Sequence, residues 1–591
     1  VKFLHALPSL ALVLAALALV QTLQILGGVT PILEGRLIDP DCYMRLDRVR
    51  ALMEGGAWYD TLSLRHNAPF GETLHWTRLF DLLLLPAWAL GGEPALWWWG
   101  IAIGPALEVL AVAALSFATR PILSSGGFAL LGVLFVTAPG PAGVFIAGRP
   151  DHHGLLLLLM IAGLAPILRL AAGERRPNLS WPCGVALGLG LWVGVEALAA
   201  YGVALAILGA FWLAGDSEWR DILARTAQAA AITVFAALLV ERAPADWLTP
   251  ATDRLSIVHL ALATLVAIGA TLLARFDPQR HRIGWAALTA AIGLAILGAL
   301  FPDFLRPPLA HLPPEVGEAW LDDLMEMRPL WPGDLRGLGR IALHLGPLII
   351  ALPFLAYRLR LGAPPQRRIA LAGLIGLAVY VPAALYQIRF APYGAALAVL
   401  PWSQAVLALR RLRMPMPARA LLVVLALIGH DLAFTLIASQ ARAKGQTYRG
   451  ALETCPWERI APILAALPGA GGKPPIVFTT PYPGPELAYR ARVAVIATPY
   501  HGNARSVIAT HLALTGADDR ALLALLAERR ADYALLCRSG QEGRWLESRT
   551  GDNAHQRLLR GQAPRSFTRV EIADDLKGDF ALYRISGWPA P

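Results

Sequence analysis

Apolar runs near or above the roughly 18 residues that cross a bilayer recur along most of this chain, and they leave it few possible folds. The first is about Leu7–Leu26 and the last reaches about Leu436. A mean hydropathy of +0.51, with 56% hydrophobic and only 16% charged residues, is far from the soluble globular norm. The chain therefore reads as an α-helical polytopic membrane protein. Its net charge of +10 does not point to nucleic acid. The arginines stand in short clusters between apolar runs, as in cytoplasmic loops under the positive-inside rule. Leu7–Val20 is read as part of an uncleaved first span, since no small-residue cleavage site follows it.

Further spans fall near Ala95–Leu115, Ile122–Thr137 and Gly154–Leu170. The next stretch, Gly184–Leu213, fits either one long tilted helix or two short crossings. Charge decides between them. Arginine-rich links at 220–225, 275–282, 358–368 and 410–419 share a side with Lys2, Arg120 and Arg175 only if the stretch is a hairpin. A turn near Glu196 then places that acid at the outer surface, not in mid-bilayer, where it would cost on the order of a few kcal/mol. The remaining spans lie at about Ala229–Leu239, Ile257–Leu273, Trp285–Leu300, Ile341–Tyr357, Leu371–Tyr386, Pro392–Leu409 and Leu421–Leu436. About thirteen crossings result, with the N-terminus inside and the C-terminus outside. This odd parity gathers every polar segment of chemical interest on one face.

From about Ala441 the composition becomes soluble. Lys473–Thr479, Val493–Ala497 and Asp532–Cys537 read as strands and Ala521–Arg529 as a helix, which suggests a small α/β domain. Four cysteines are too few for a disulfide scaffold. Cys455 and Cys537 both lie in this outer part, where they either pair or stay two separate buried thiols.

Acids, bases and aromatics crowd into the segment Ile38–Asp81, just past the first span. Asp39 and Asp41, one residue apart, can share a divalent cation, which prefers hard oxygen ligands. They equally suit a helix start, with Asp41 capping an amphipathic helix Met44–Met53 whose Leu46, Val49, Leu52 and Met53 share a face. Asp151-His152-His153 stands at the outer start of another span. Its Asp and His at i, i+2 suit Mn²⁺ or Zn²⁺ and are less typical of Mg²⁺, with capping as the simpler alternative. The long 302–340 loop holds Glu315, Glu318, Asp322, Asp323 and Glu326. Most of these acids fit a solvated helix over Glu315–Met327, from which one or two can enter a site. Arg389, at the outer end of a span, either meets a lipid-linked phosphate or snorkels. No P-loop, Rossmann fingerprint, zinc-finger spacing or nucleophile elbow appears in a supporting context. A secondary transporter would bury its polar groups at mid-membrane, whereas here they sit at one surface.

These features, in this order, resemble the catalytic subunit of oligosaccharyltransferases, members of the C-type glycosyltransferase fold. Asp39-Pro40 with Arg45 is similar to that family's first acidic motif, and Asp41 matches the acidic position as well. Asp151 and His153 fit its Asp-x-His motif, Glu326 its late-loop metal-binding Glu, and Arg389 the arginine that meets the lipid pyrophosphate. One departure stands out. Where the family reads Asn-x-Ser/Thr acceptors with Trp-Trp-Asp-Tyr-Gly, this chain has Thr479-Thr480-Pro481-Tyr482-Pro483. Pro481 cannot accept a hydrogen bond from a threonine hydroxyl as the aspartate would. The acceptor is therefore expected to lie outside the standard sequon. The Tyr500-His501-Gly502-Asn503 loop either takes part in acceptor or lipid handling or is a plain turn.

The resemblance implies a transmembrane glycosyltransferase domain over residues 1–440, with outer loops 28–94 and 302–340, and an extracytoplasmic α/β domain over 441–591. It implies transfer of a sugar or oligosaccharide from a polyprenyl-(pyro)phosphate carrier to a glycan, lipid or protein acceptor at the outer face of the plasma membrane. Asp39, Asp41, Asp151, His153 and Glu326 would hold a divalent metal, Mn²⁺ or Mg²⁺, with Asp39 or Asp41 as the catalytic acid. Arg389 would bind the donor phosphate, and Arg45, His75, His152, Glu196 and His501 are further candidate substrate contacts. The alternative is a non-catalytic lipid-linked-sugar flippase or envelope-assembly scaffold using the same pocket.

Overall fold

In the computed structural model the described residues are 7–215, 217–276, 280–306, 312–321, 324–331, 333–444, 455–538, 546 and 551–587. Among them, nine helices are long and apolar enough to cross a membrane, from Pro8–Leu26 to Met416–Ala443. Another span is broken. Leu335–Leu345 and Leu348–Leu361 meet at 47° across Gly346 and Pro347, where proline removes a backbone donor. Ser125–Thr137, Ser180–Val193 and Ala197–Leu213 are shorter. Together these rods correspond one to one with the expected spans, and the stretch from Gly184 to Leu213 is indeed a hairpin that turns at Gly194–Glu196.

Burial sorts the rods by position. The apolar window of His152–Ala171 is 78% buried, whereas those of Arg282–Leu300 and Met416–Ala443 are each only 6% buried. The helix that starts at the Asp-His-His motif is thus central, and the other two face outward. Arg78–Thr119 is a merged pair that breaks at Gly91 and Gly92, the latter at φ 64°, a left-handed conformation that glycine adopts without strain. Its first part begins inside the polar segment after the first span.

The C-terminal part holds a five-stranded sheet in the order Ala494–Val495, Ile476–Phe478, Tyr533–Cys537, Phe580–Ile585, Phe567–Arg569. Pairing is parallel among the first three strands and antiparallel among the rest. Side chains of Tyr533–Cys537 alternate between two cores. Tyr533, Leu535 and Cys537 join one and Ala534 and Leu536 the other, as a strand buried on both faces requires. Cys455 and Cys537 form a disulfide.

This sheet is seated on the first outer loop. Its edge residue Val495 donates to the Arg65 carbonyl at 2.8 Å and accepts from the Ala68 N–H at 2.9 Å, so the loop covers an edge that would otherwise stay open. Arg50, fully buried, donates to the carbonyls of Tyr489 at 2.7 Å and Ala488 at 3.3 Å. Thr498 donates to the buried Glu72 carboxyl.

Two local expectations need correction. Asp39, not Asp41, caps the helix after the first span, which runs Pro40–Met53. Pro40 takes the first helical position, where its missing N–H costs nothing. The solvated helix expected over Glu315–Met327 is instead a short helix Glu315–Ala319 followed by a 3₁₀ turn Met325–Met327. Asp322 and Asp323 lie outside the described residues.

Candidate active site

Two helix caps from different loops build one wall of the site. Asp39 accepts from the Cys42 N–H at 3.2 Å and so fixes the start of its helix. Asp41 sits in that helix's first turn with its carboxyl left for other partners. Burial, then the neighbouring acids Asp39, Asp151 and Glu326, push the Asp41 carboxyl well above the usual range. Asp151 caps the central helix. One of its oxygens lies 2.6 Å from both the backbone nitrogen and Nδ1 of His152. Its other oxygen is buried and accepts no hydrogen bond. That oxygen faces Nη2 of Arg149 at 3.6 Å and Nε2 of His153 at 3.8 Å.

The remaining acids arrive from further loops. Glu326 Oε2 stands 3.7 Å from His153 Nε2. Burial works to raise its carboxyl, but His153 and Arg389 outweigh that and hold it at about 2. Glu196, at the hairpin turn, pairs with Arg389. There too burial is outweighed, by Arg389, His152 and His153, and the carboxyl falls to about 2. Arg149 Nε lies 3.6 Å from Asp39 and bridges it to Asp151. The turn into this corner is set by Gly148, at φ 83°, where an added Cβ would meet Ile32 at 2.5 Å.

Facing these groups is an aromatic and histidine wall. Trp76 packs edge-on against Tyr500 at 5.1 Å and tilts toward His152 at 6.0 Å between ring centres. The Tyr500 hydroxyl is buried beside Asp41 and makes no hydrogen bond of good geometry. The His75 and His501 rings meet at 4.2 Å between centres, tilted by 46°, and His501 Nε2 is 3.1 Å from Asp253. Burial, then the neighbouring His501, hold His75 well below its ordinary pKa. Behind the wall, Arg45 lies 4.1 Å over the Trp76 ring. It shares the fully buried Asp81 with Arg48, at 2.8 Å, and Arg78, at 3.3 Å.

The structure thus brings together Asp39, Asp41, Asp151, His152, His153, Glu196, Glu326 and Arg389, with His75 and His501 opposite and Arg45 behind Trp76. Sequence reasoning passed over Arg149, Tyr500 as a neighbour of Asp41, and Asp253. Arg149 stands two residues before a flagged acid and could have been read from that. Asp253 gave no signal, because its partner His501 is 248 residues away.

The donor set suits a divalent cation. Ligand atoms of Asp151, His152 and His153 all lie within 4.8 Å of one another. Neighbouring ligands on a six-coordinate ion with bonds of roughly 2.2 Å stand about 3 Å apart. The 3.7 and 3.8 Å separations around His153 Nε2 close to that with small rotations. The orphaned Asp151 oxygen and the crowded carboxyls around Asp41 both gain from a central positive charge.

No protein-family model and no curated protein matches the chain. Solved structures do. The archaeal oligosaccharyltransferase AglB from Archaeoglobus fulgidus, in complex with an inhibitory peptide and a dolichol-phosphate, superposes with a TM-score of 0.67 at 15% identity, over 89% of this chain and 69% of that one. The Archaeoglobus fulgidus oligosaccharyltransferase in complex with Zn and sulfate gives 0.60 at 16% identity, over 89% and 68%. ArnT from Cupriavidus metallidurans in the apo state gives 0.47 at 13% identity, over 93% and 94%. The chain is a multi-pass membrane protein with the fold of the archaeal oligosaccharyltransferase, a helical membrane part joined to a C-terminal sheet-containing domain.

Proposed function

We propose that this protein is a glycosyltransferase that moves a sugar or oligosaccharide from a polyprenyl-(pyro)phosphate carrier to an acceptor at the outer face of the plasma membrane. The observation that carries this reading is the meeting of Asp39, Asp41, Asp151, His153 and Glu326, drawn from three separate loops, beside the Glu196–Arg389 pair. The solved relatives support the lipid carrier, since AglB was captured with a dolichol-phosphate. The Cys455–Cys537 disulfide supports an oxidising, extracytoplasmic setting for the C-terminal part, residues 441–591, beside a membrane domain over 1–440.

Asp39, Asp41, Asp151, His153 and Glu326 would hold Mn²⁺ or Mg²⁺, and the imidazole among the ligands favours Mn²⁺. When bound, such an ion offsets charge on the departing phosphate. Arg389 places a fixed guanidinium at headgroup depth, where it clamps a phosphate oxygen once Glu196 yields it. The bond from the anomeric carbon to phosphate oxygen breaks while the acceptor atom attacks from the far side. Asp41, next to the Tyr500 hydroxyl, orients the acceptor and takes its proton. His75, His501 and Asp253 line the acceptor approach in place of the missing Trp-Trp-Asp. His75 is held neutral by burial and so can accept a hydrogen bond from a hydroxyl.

The test is mass spectrometry of envelope glycans and glycoproteins from a deletion strain complemented with wild type, Asp41→Asn or Asp151→Ala. Wild type should restore a sugar modification, and each variant should reduce it by at least a hundredfold at unchanged protein level. Full restoration by both variants would instead favour the flippase or scaffold reading.

A further inference from the structure

A buried hydroxyl stands without a partner beside the Glu196–Arg389 pair. Tyr393 lies in the first turn of Ala391–Leu409, four residues after Arg389, and is 6% exposed. Side chains on a helix lean toward its N-terminus, so a phenol at this position is carried back over Arg389. Its ring lies 6.4 Å from that of Phe390, and the charges of Glu196, Arg389 and Asp151 all act on its hydroxyl. Neither they nor any other group among the described residues hydrogen-bonds to it.

A buried polar group left unpaired costs on the order of 1–3 kcal/mol, so one beside a candidate site calls for a ligand. This oxygen is not sealed in. The Tyr201 and Tyr500 hydroxyls are fully enclosed, whereas that of Tyr393 still touches open space. Its ring is braced as well. Tyr380, 1% exposed, stacks on it at 5.2 Å between centres and 12° between planes.

Arg389 needs such a companion. Its Nη2 pairs with Glu196, and its Nη1 reaches only the Met327 sulfur at 3.7 Å, a weak acceptor. A guanidinium shared with Glu196 does not give a phosphate its full fork, and a phosphodiester has two free oxygens to satisfy. A tyrosine hydroxyl is a neutral donor that serves the second oxygen. We propose that Tyr393 is a second phosphate-binding residue of this site, its hydroxyl donating to the carrier-phosphate oxygen that Arg389 does not hold, an inference that rests on the lipid-carrier reading above. Tyr380 acts through it as a positioning residue.

The test uses the full chain in lipid nanodiscs with Mn²⁺, titrated with a short-chain polyprenyl phosphate and with the neutral polyprenol of the same length. Wild type should bind the phosphate more tightly. Tyr393→Phe keeps the stack on Tyr380 and removes the unpaired oxygen, so its melting temperature should hold or rise. It should weaken phosphate binding about ten- to hundredfold and leave polyprenol and Mn²⁺ binding unchanged. Equal losses for phosphate and polyprenol would assign Tyr393 to packing and overturn the proposal. Undiminished phosphate binding in Tyr393→Phe, beside weakened binding in Arg389→Gln, would remove Tyr393 and leave the carrier reading standing. A wild type that does not prefer the phosphate to the polyprenol would overturn the carrier reading, and the role of Tyr393 with it.

Discussion

At the scale of single residues, Glu72 shows how burial writes a pH dependence into this molecule. It is 3% exposed, accepts from Thr498 through one oxygen, and has no partner for the other. Burial raises its carboxyl from 4.5 to about 8. Between those values the folded chain keeps the proton that the unfolded chain has lost. Folded protein therefore binds more protons, and the docked C-terminal part loses stability as pH rises from about 5 to 8. Glu72→Gln should flatten this slope, raising the melting temperature at pH 8 while leaving it nearly unchanged at pH 5. Thermal unfolding of both proteins across that range measures it, and parallel slopes would remove Glu72 as the cause.

Elements, not single residues, deliver Asp151 to Asp39, and the connection runs through the first two spans. Gln21 donates to Glu108 at 3.0 Å and to the Phe145 carbonyl at 3.3 Å, and accepts from the Ala147 N–H at 3.0 Å. Thr30 donates to the Ala147 carbonyl at 2.8 Å, and the Ile38 N–H to that of Gly148 at 3.2 Å. The 138–150 turn is thereby clamped next to the loop that holds Asp39. Gln21→Leu would leave the Glu108 carboxyl and the Ala147 N–H unpaired in a buried site, at about 1–3 kcal/mol each. It should lower the melting temperature and weaken Mn²⁺ binding, read by electron paramagnetic resonance, although Gln21 touches no candidate ligand. Unchanged Mn²⁺ affinity would show that the clamp does not set the site.

That clamp also marks the limit of what sequence can reveal here. The spans were legible because hydrocarbon imposes a length and arginines impose a side. Asp151-His152-His153 was legible because its members are adjacent. Helix ends were not, since Glu218–Glu241 runs well beyond the apolar Ala229–Leu239 into a polar region that still forms helix. The contacts that orient the acids were hidden for another reason. Gln21 and Ala147 are 126 residues apart, and Arg529 and Asn67 are 462 apart. A polar residue inside a span, such as Gln21 or Glu108, announces a partner without naming it.

For the whole molecule, the question is whether the two parts work as one, and Arg50 is where they interlock. Its guanidinium is fully buried, pairs with Asp47 and Glu93 of the membrane part, and donates to the carbonyls of Ala488 and Tyr489. Tyr500 and His501 reach Asp41 and Asp253 only while that seat holds. Removing one partner of a buried ion pair typically costs about 3–5 kcal/mol, because the other charge is stranded. Arg50→Met keeps the bulk of the side chain and leaves Asp47, whose side chain is 5% exposed, with only the longer contacts to Arg65 at 3.6 Å and His66 at 3.8 Å. The disulfide and the two sheet cores lie within the C-terminal part and are untouched by the change. The variant should therefore unfold in two separated thermal transitions where wild type shows one, and sugar transfer should fall at least tenfold with both parts still folded. Differential scanning calorimetry resolves the two cases. A single undisplaced transition together with wild-type transfer would show that the first loop and the sheet edge hold the seat without Arg50.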